Sequence, residues 1–209
     1  WNKSRKGEFL PQINAAEALE KAFRNYLPKK NDNWRQAIIG TEAAVAAHYW
    51  SVVGKMLSRY DYPGRKRQGA KDPINSALNY GYGILQHYVF TAILRTGLAA
   101  EIALIHADQP GKPTLVYDLM EIFRQPFIDR AIFALAAKGP LIGVNPNGFL
   151  NDASRKNIIR HVAKSLAHSE NYRGMPIPRT ELIAKQIFEY ANDIKKNIRD
   201  YKPWQMTKW

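Results

Sequence analysis

A chain of 209 residues with 45% hydrophobic and 11% aromatic content is long enough to bury one sizeable core and too apolar to be disordered. Its 31 Lys and Arg against 18 Asp and Glu leave a formal charge of +13, which concentrates polyanions and makes nucleic acid the leading partner, with a merely solvated basic surface as the plain alternative. With no cysteine, disulfide frameworks, thiolate zinc sites and cysteine nucleophiles are excluded together, so any metal must be held by oxygen and imidazole.

In chain order, the start Trp1-Asn2-Lys3-Ser4-Arg5 lacks both an initiator methionine and the apolar core of a signal peptide, so the chain reads as part of a longer or processed polypeptide. No apolar run approaches the roughly 20 residues that span a bilayer. A soluble, cytoplasmic protein without membrane association is the expectation. The periodicity is helical throughout, with no sustained alternating runs, and the fold class read from it is mostly α. Residues 1–33 read as a leading helix, over 13–26, and a linker; residues 34–209 read as one helical domain. A long, mostly buried helix is expected over 34–60, with Gly40 and Gly54 as places to bend.

A flexible cationic loop follows, in which Arg59, Arg65, Lys66, Arg67 and Lys71 face only Asp61 and Pro63-Gly64 breaks the helix. Asp72-Pro73 then supplies an N-cap and a residue suited to the first helical position, and Gly97 a stop, for a helix over 73–94. A short apolar segment over 98–106 leads into a Pro-Gly turn at Gln109-Pro110-Gly111-Lys112-Pro113, and one helix is expected over 114–138. After a Gly, Pro and Asn loop, two amphipathic, Lys- and Arg-rich helices over 151–168 and 179–201 read as peripheral, joined by the Pro-rich connection Met175-Pro176-Ile177-Pro178.

The chemistry concentrates in three places. Glu42 is a carboxylate inside an apolar run, where burial would demand a cation. His106 ends an apolar segment where a loop begins. Asp118 and Glu121, three apart near the start of a helix, share one face close to its dipole-positive end. Carboxylates with one imidazole and no sulfur suit magnesium or manganese. Each residue also has an ordinary reading, as a solvated Glu, a hydrogen-bonded His and a capping carboxylate pair.

Read together, Ile38-Ile39-Gly40-Thr41-Glu42-Ala43-Ala44 with Tyr49-Trp50, Asp72-Pro73-Ile74-Asn75-Ser76-Ala77-Leu78-Asn79-Tyr80-Gly81-Tyr82, Gly97-Leu98 with His106, and Leu115-Val116-Tyr117-Asp118-Leu119-Met120-Glu121-Ile122-Phe123-Arg124-Gln125-Pro126 resemble, in order and spacing, the CRISPR-associated integrase family often called Cas-one. The resemblance covers residues 38 to 130. It implies a multi-helix catalytic domain whose Mg2+ or Mn2+ is held by Glu42, His106 and Glu121, with Asp118 as a second acidic position beside the site. It also implies DNA as substrate, both prespacer and repeat array, and a small partner, Cas-two, with integrase homodimers in a heterohexamer. The reaction it implies is attack of prespacer 3′ hydroxyls on the repeat borders, as in spacer acquisition and antiviral defence.

By the same resemblance, Arg65, Lys66, Arg67 and Lys71 are expected to clamp phosphates. Arg124, one turn past Glu121, is left between a phosphate contact and a carboxylate pair. Asn75 is expected to fix the helix carrying Tyr80 and Tyr82, for which packing is the expectation and contact with DNA the alternative. The β-rich domain with which family members begin is not readable here, and a start in mid-sequence suits the relatives fused behind a reverse transcriptase. Two rival classes stay open: a metal-dependent nuclease that cuts without joining, and a noncatalytic DNA-binding subunit.

Overall fold

The computed structural model describes residues 34–105, 110–198 and 200–206, and these divide into two compact units at the step from Lys66 to Arg67. The leading helix expected over 13–26 lies outside the described residues, as does His106. The described part is mostly helical, as the periodicity predicts, and none of its helices is long and apolar enough to cross a membrane.

In the first unit, helix α1 (Trp34–Met56) runs through both Gly40 and Gly54. It is not the mostly buried helix its apolar content suggests: only Val52 and Val53, near its end, are buried, and Ile39 is exposed. Past the helix the chain turns back on itself, with Tyr60 N–H donating to the Leu57 carbonyl at 2.9 Å and the Tyr62 ring reaching Trp50 at 6.5 Å.

The second unit is built around α2 (Pro73–Thr96). The Asp72 carboxylate caps it, accepting from Asn75 N–H at 2.9 Å and from Asn75 Nδ2 at 2.8 Å, and Gly97 closes it in the left-handed conformation. The fully buried Asn75 side chain is satisfied by that cap, as expected of a residue that fixes the helix start. Around α2 pack α3 (Thr114–Phe123), a π-helical segment (Arg124–Asp129) and α4 (Arg130–Lys138). The single helix expected over 114–138 is therefore interrupted. Pro126 has no N–H to give to the preceding turn and its ring crowds that turn's carbonyl, and the wider segment around it accommodates both defects. Gly81 of α2 admits the segment: a Cβ there would lie 2.7 Å from Ile128 Cγ2.

Asn151 caps α5 (Asp152–Ala167), accepting from Ser154 N–H at 2.8 Å. The Pro-rich connection is in fact the second strand of a hairpin, β1 (Ser169–Tyr172) with β2 (Met175–Pro178), paired from Ser169 opposite Pro178 to Tyr172 opposite Met175. Its residues are mostly exposed, so no buried face imposes the alternation that makes a strand readable. Arg179 locks the hairpin to the core, with Nε and Nη2 on Glu170 Oε1 at 2.9 and 2.6 Å, Nη1 on Ser165 Oγ at 2.6 Å, and its head over the Phe127 ring. Helix α6 (Arg179–Lys196) ends at Asn197, earlier than expected. It is not peripheral: it is the principal packing partner of α2 and buries Leu182, Ile183, Gln186, Ile187, Tyr190 and Ala191.

Candidate active site

Helix α3 carries two of the three acidic candidates, Asp118 and Glu121. Its start is fastened to the segment before it, with Leu115 N–H donating to the Ala100 carbonyl at 2.9 Å and Thr114 Oγ1 to the Glu101 carbonyl at 2.6 Å. Leu115, Val116, Leu119, Met120 and Phe123 turn into the core.

Asp118 is buried as well, at 8% exposure, and its Oδ2 accepts from the backbone N–H of Leu104 at 2.6 Å and of Ile105 at 2.9 Å. A buried carboxylate is costly unless it receives charge-assisted hydrogen bonds, and these two supply them. The amides it holds immediately precede position 106. Asp118 therefore anchors to α3 the stretch of chain that leads into His106.

Glu121, one turn on, is half-buried and forms an ion pair with Arg124. The guanidinium of Arg124 lies 5.0 Å from the centre of the Tyr82 ring, and Tyr82 Oη donates to Oδ1 of the buried Asp129 at 2.5 Å. Arg124 Nε is itself buried without a hydrogen-bond partner, so the side chain is engaged through its Nη1 and its face. Of the two roles left open for Arg124, the carboxylate pair is the one seen. Tyr82 packs, as expected, whereas Tyr80 is exposed. The contribution of Asp129 was missed, although a carboxylate in the apolar run Pro126-Phe127-Ile128-Asp129 is the same signal that drew attention to Glu42.

Glu42 stands exposed on α1 in the first unit, so the costly burial argued for it is not observed. Among the described residues no group of three or more His, Asp or Glu side chains is placed to hold a metal ion. Of the expected ligand set of Glu42, His106 and Glu121, Glu121 is the one member among the described residues of the second unit, His106 lying outside the described residues.

The expected phosphate clamp is divided by the boundary between the units. Arg65, in the first, lies over the Trp50 ring at 5.7 Å and donates through Nη1 to the Lys66 carbonyl at 2.5 Å, while Lys66 is exposed. In the second, the loop is tethered rather than free. Asn79 Nδ2 donates to the Arg67 carbonyl at 2.8 Å, and Gly148, at φ +84°, sits so close that a Cβ would lie 2.6 Å from the Ala70 carbonyl oxygen. The side chains of Arg67 and Lys71 remain exposed.

Comparison with known families settles the membership: residues 2–164 match the model described as CRISPR associated protein Cas1. The chain belongs to the Cas1 family. A Cas1 endonuclease of Francisella tularensis subsp. novicida is 28% identical over 199 residues, covering 94% of this chain and 60% of that protein. One from Pyrobaculum aerophilum is 36% identical over 140 residues, covering 67% of this chain and 43% of that protein. The chain thus spans about half the length of these Cas1 relatives. In fold it resembles a casposase bound to integration product, at a TM-score of 0.76, 23% identity, and coverage of 93% of this chain and 65% of that one. It also resembles a Cas6-RT-Cas1–Cas2 complex chain, at a TM-score of 0.81 and 16% identity, over 99% of this chain and 23% of that one.

Proposed function

We propose that this chain is the helical catalytic part of a CRISPR integrase, which inserts prespacer DNA into a repeat array with a divalent metal held by Glu42, His106 and Glu121. The observation that supports it most is the anchoring of the segment before His106 by Asp118, one helical turn from Glu121. The backbone of Leu104 and Ile105 is thereby tied to the short helix that carries Glu121. Oxygen donors and an imidazole, with no thiolate, fit Mg2+ or Mn2+.

The reaction is a phosphodiester exchange. The prespacer 3′ oxygen forms a new bond to phosphorus, the repeat strand's bond from phosphorus to its own 3′ oxygen breaks, and the proton lost by the attacking hydroxyl is balanced by one gained on the leaving oxygen. When bound, the metal supplies charge neutralisation at the phosphate and lowers the cost of deprotonating the hydroxyl. Arg124, steadied by Tyr82, holds the Glu121 carboxylate in place. The partners fit the same reading: DNA as substrate and a small Cas-two protein, with integrase dimers in a heterohexamer. The likeness to the Cas6-RT-Cas1–Cas2 complex chain agrees with a chain of this kind placed behind a reverse transcriptase.

The test is strand transfer of a labelled short duplex into a plasmid carrying a repeat array, with the small partner present, in Mg2+, Mn2+ or chelator. Metal-dependent joining by the wild type and none by His106→Ala is expected. Nicking without joining would replace this reading with the nuclease that the relatives' endonuclease names suggest. DNA binding with neither activity would leave a binding subunit.

A further inference from the structure

Helix α5 carries its charges against its own interest. Lys156, Arg160 and Lys164 follow one another at i, i+4 and i+8, a spacing at which like charges repel, and Lys156 lies in the half nearer the dipole-positive end. All three are exposed, and within the described residues none pairs with a carboxylate. Arg155, by contrast, is neutralised by Asp152. The three cations rise along the helix by about 6 Å per step, about 12 Å in all.

This stripe continues the tethered half of the basic loop. Gly148 presses on the backbone of Ala70 and Lys71, Ser76 Oγ donates to the Gly148 carbonyl at 2.9 Å, and Gly143 N–H donates to Ser154 Oγ at 2.8 Å in the first turn of α5. At the joint stands Phe149, 70% exposed, on a rigid turn: its N–H donates to Asn145 Oδ1 at 3.0 Å and its carbonyl accepts from Asn145 N–H at 2.8 Å. An aromatic ring held open to water between two runs of unpaired cations has the composition of a strand-binding groove, where phosphates follow the charges and an unpaired base stacks on the ring.

We propose that Arg67, Lys71, Phe149, Lys156, Arg160 and Lys164 form one track for a nucleic-acid strand with an unpaired base over Phe149. The track shares with the proposed function the premise that the chain binds nucleic acid, but not the premise that it joins strands, so binding tests it separately. The full chain is titrated with a labelled 20-nucleotide DNA strand, the same strand as RNA, and the blunt DNA duplex, over a salt series.

The triple variant Lys156→Gln/Arg160→Gln/Lys164→Gln is expected to lower affinity for strand and duplex about tenfold or more, and to reduce the slope of log affinity against log salt by about 2 to 3. Phe149→Ala is expected to weaken the single strand about tenfold, with duplex affinity and salt slope nearly unchanged. Whichever of DNA and RNA binds more tightly is assigned as the strand's source. The control is Arg173→Gln/Lys185→Gln/Lys202→Gln, which removes the same charge from cations paired with Glu189, Glu181 and Asp200. Equal losses in control and test would reduce the effect to net charge and overturn the track. Unchanged nucleic-acid affinity with weakened binding of the small partner protein would assign the face to that protein instead.

A second measurement guards against misfolding. Arg160→Glu creates opposite-charge pairs with Lys156 and Lys164, so it is expected to raise Tm while lowering affinity. A fall in both would sink the argument that α5 is strained by its own charges.

Discussion

Helices α1 and α2 are nearly the same length, 23 and 24 residues, and both are rich in Ala, Val, Ile and aromatic side chains. Yet α2 buries ten residues and α1 two. The difference lies in what each helix is given to fit. Small residues and caps on α2 are used: Asp72 holds its first turn, Gly97 its last, and Gly81 receives Ile128. On α1 the glycine at a similar position, Gly40, has nothing within 4 Å of a Cβ. An apolar 3.6-residue pattern therefore identifies a helix, while complementary surfaces decide whether that helix is a core.

The same contrast separates the carboxylates, and here the largest effect is expected. Asp118→Ala removes two charge-assisted hydrogen bonds and strands two backbone amides, so it should cost about 3 kcal/mol in chemical denaturation. Exposed Glu42→Ala should stay within about 0.5 kcal/mol. On the proposed function, both lose strand joining. A destabilised Glu42→Ala with unaltered Asp118→Ala would invert the comparison and remove the anchor from the account.

The glycines give the next effect, with opposite signs. Gly81→Ala places a Cβ 2.7 Å from Ile128 Cγ2 and should destabilise by about 1–3 kcal/mol. Gly40→Ala, on a helix with open space, should stabilise by about 0.5–1 kcal/mol. Thermal unfolding of the pair reads both signs, and a loss at both positions would mean that α1 is as tightly packed as α2.

A third effect, about 1 kcal/mol, is expected for Tyr82→Phe, which deletes the donor to buried Asp129. In strand-transfer assays it should act through Arg124 and Glu121, raising the metal concentration needed for half-maximal joining more than it lowers the maximal rate. A change in rate alone would separate Tyr82 from the site.

Much of this was legible because the signals were local. Asp72-Pro73 and Gly97 mark the ends of α2 through chemistry confined to single turns, and the three-residue spacing of Asp118 and Glu121 puts them on one side of one helix. What escaped depends on distant neighbours. The spacing that pairs the two acids is silent on Asp118 serving the amides of Leu104 and Ile105 while Glu121 takes Arg124. Tyr82 and Asp129 are 47 residues apart. Pro126 is visible as a helix defect, but whether a chain kinks, stops or widens there is set by packing against α2. The many charges of α6 hid a core face at Leu182, Ile183, Gln186, Ile187 and Tyr190. His106, the residue on which the proposed chemistry most depends, was named from its place in the motif and lies outside the described residues.

The last expected effect is absent at neutral pH, appears only in alkali and concerns that hidden face of α6. Burial, and then the negative charges of Asp118 and Asp193, push the Tyr190 phenol up to about 12, while an unfolded tyrosine titrates near 10. Between those values the unfolded chain gives up a proton that the folded chain keeps. The native state then binds more protons than the unfolded state, so stability falls as pH rises, and the contribution is complete only below about pH 10. Tyr190→Phe should therefore flatten the decline of stability above pH 10. Tyr201, raised also by burial and by Glu189, preserves part of the slope. Asp118→Asn should flatten it by less than Tyr190→Phe, because charge is the lesser cause and burial remains. If Tyr190→Phe leaves the alkaline slope unchanged, the phenol is not closed off from water as the packing of α6 on α2 requires, and the contrast between a covered α2 and an open α1 narrows accordingly.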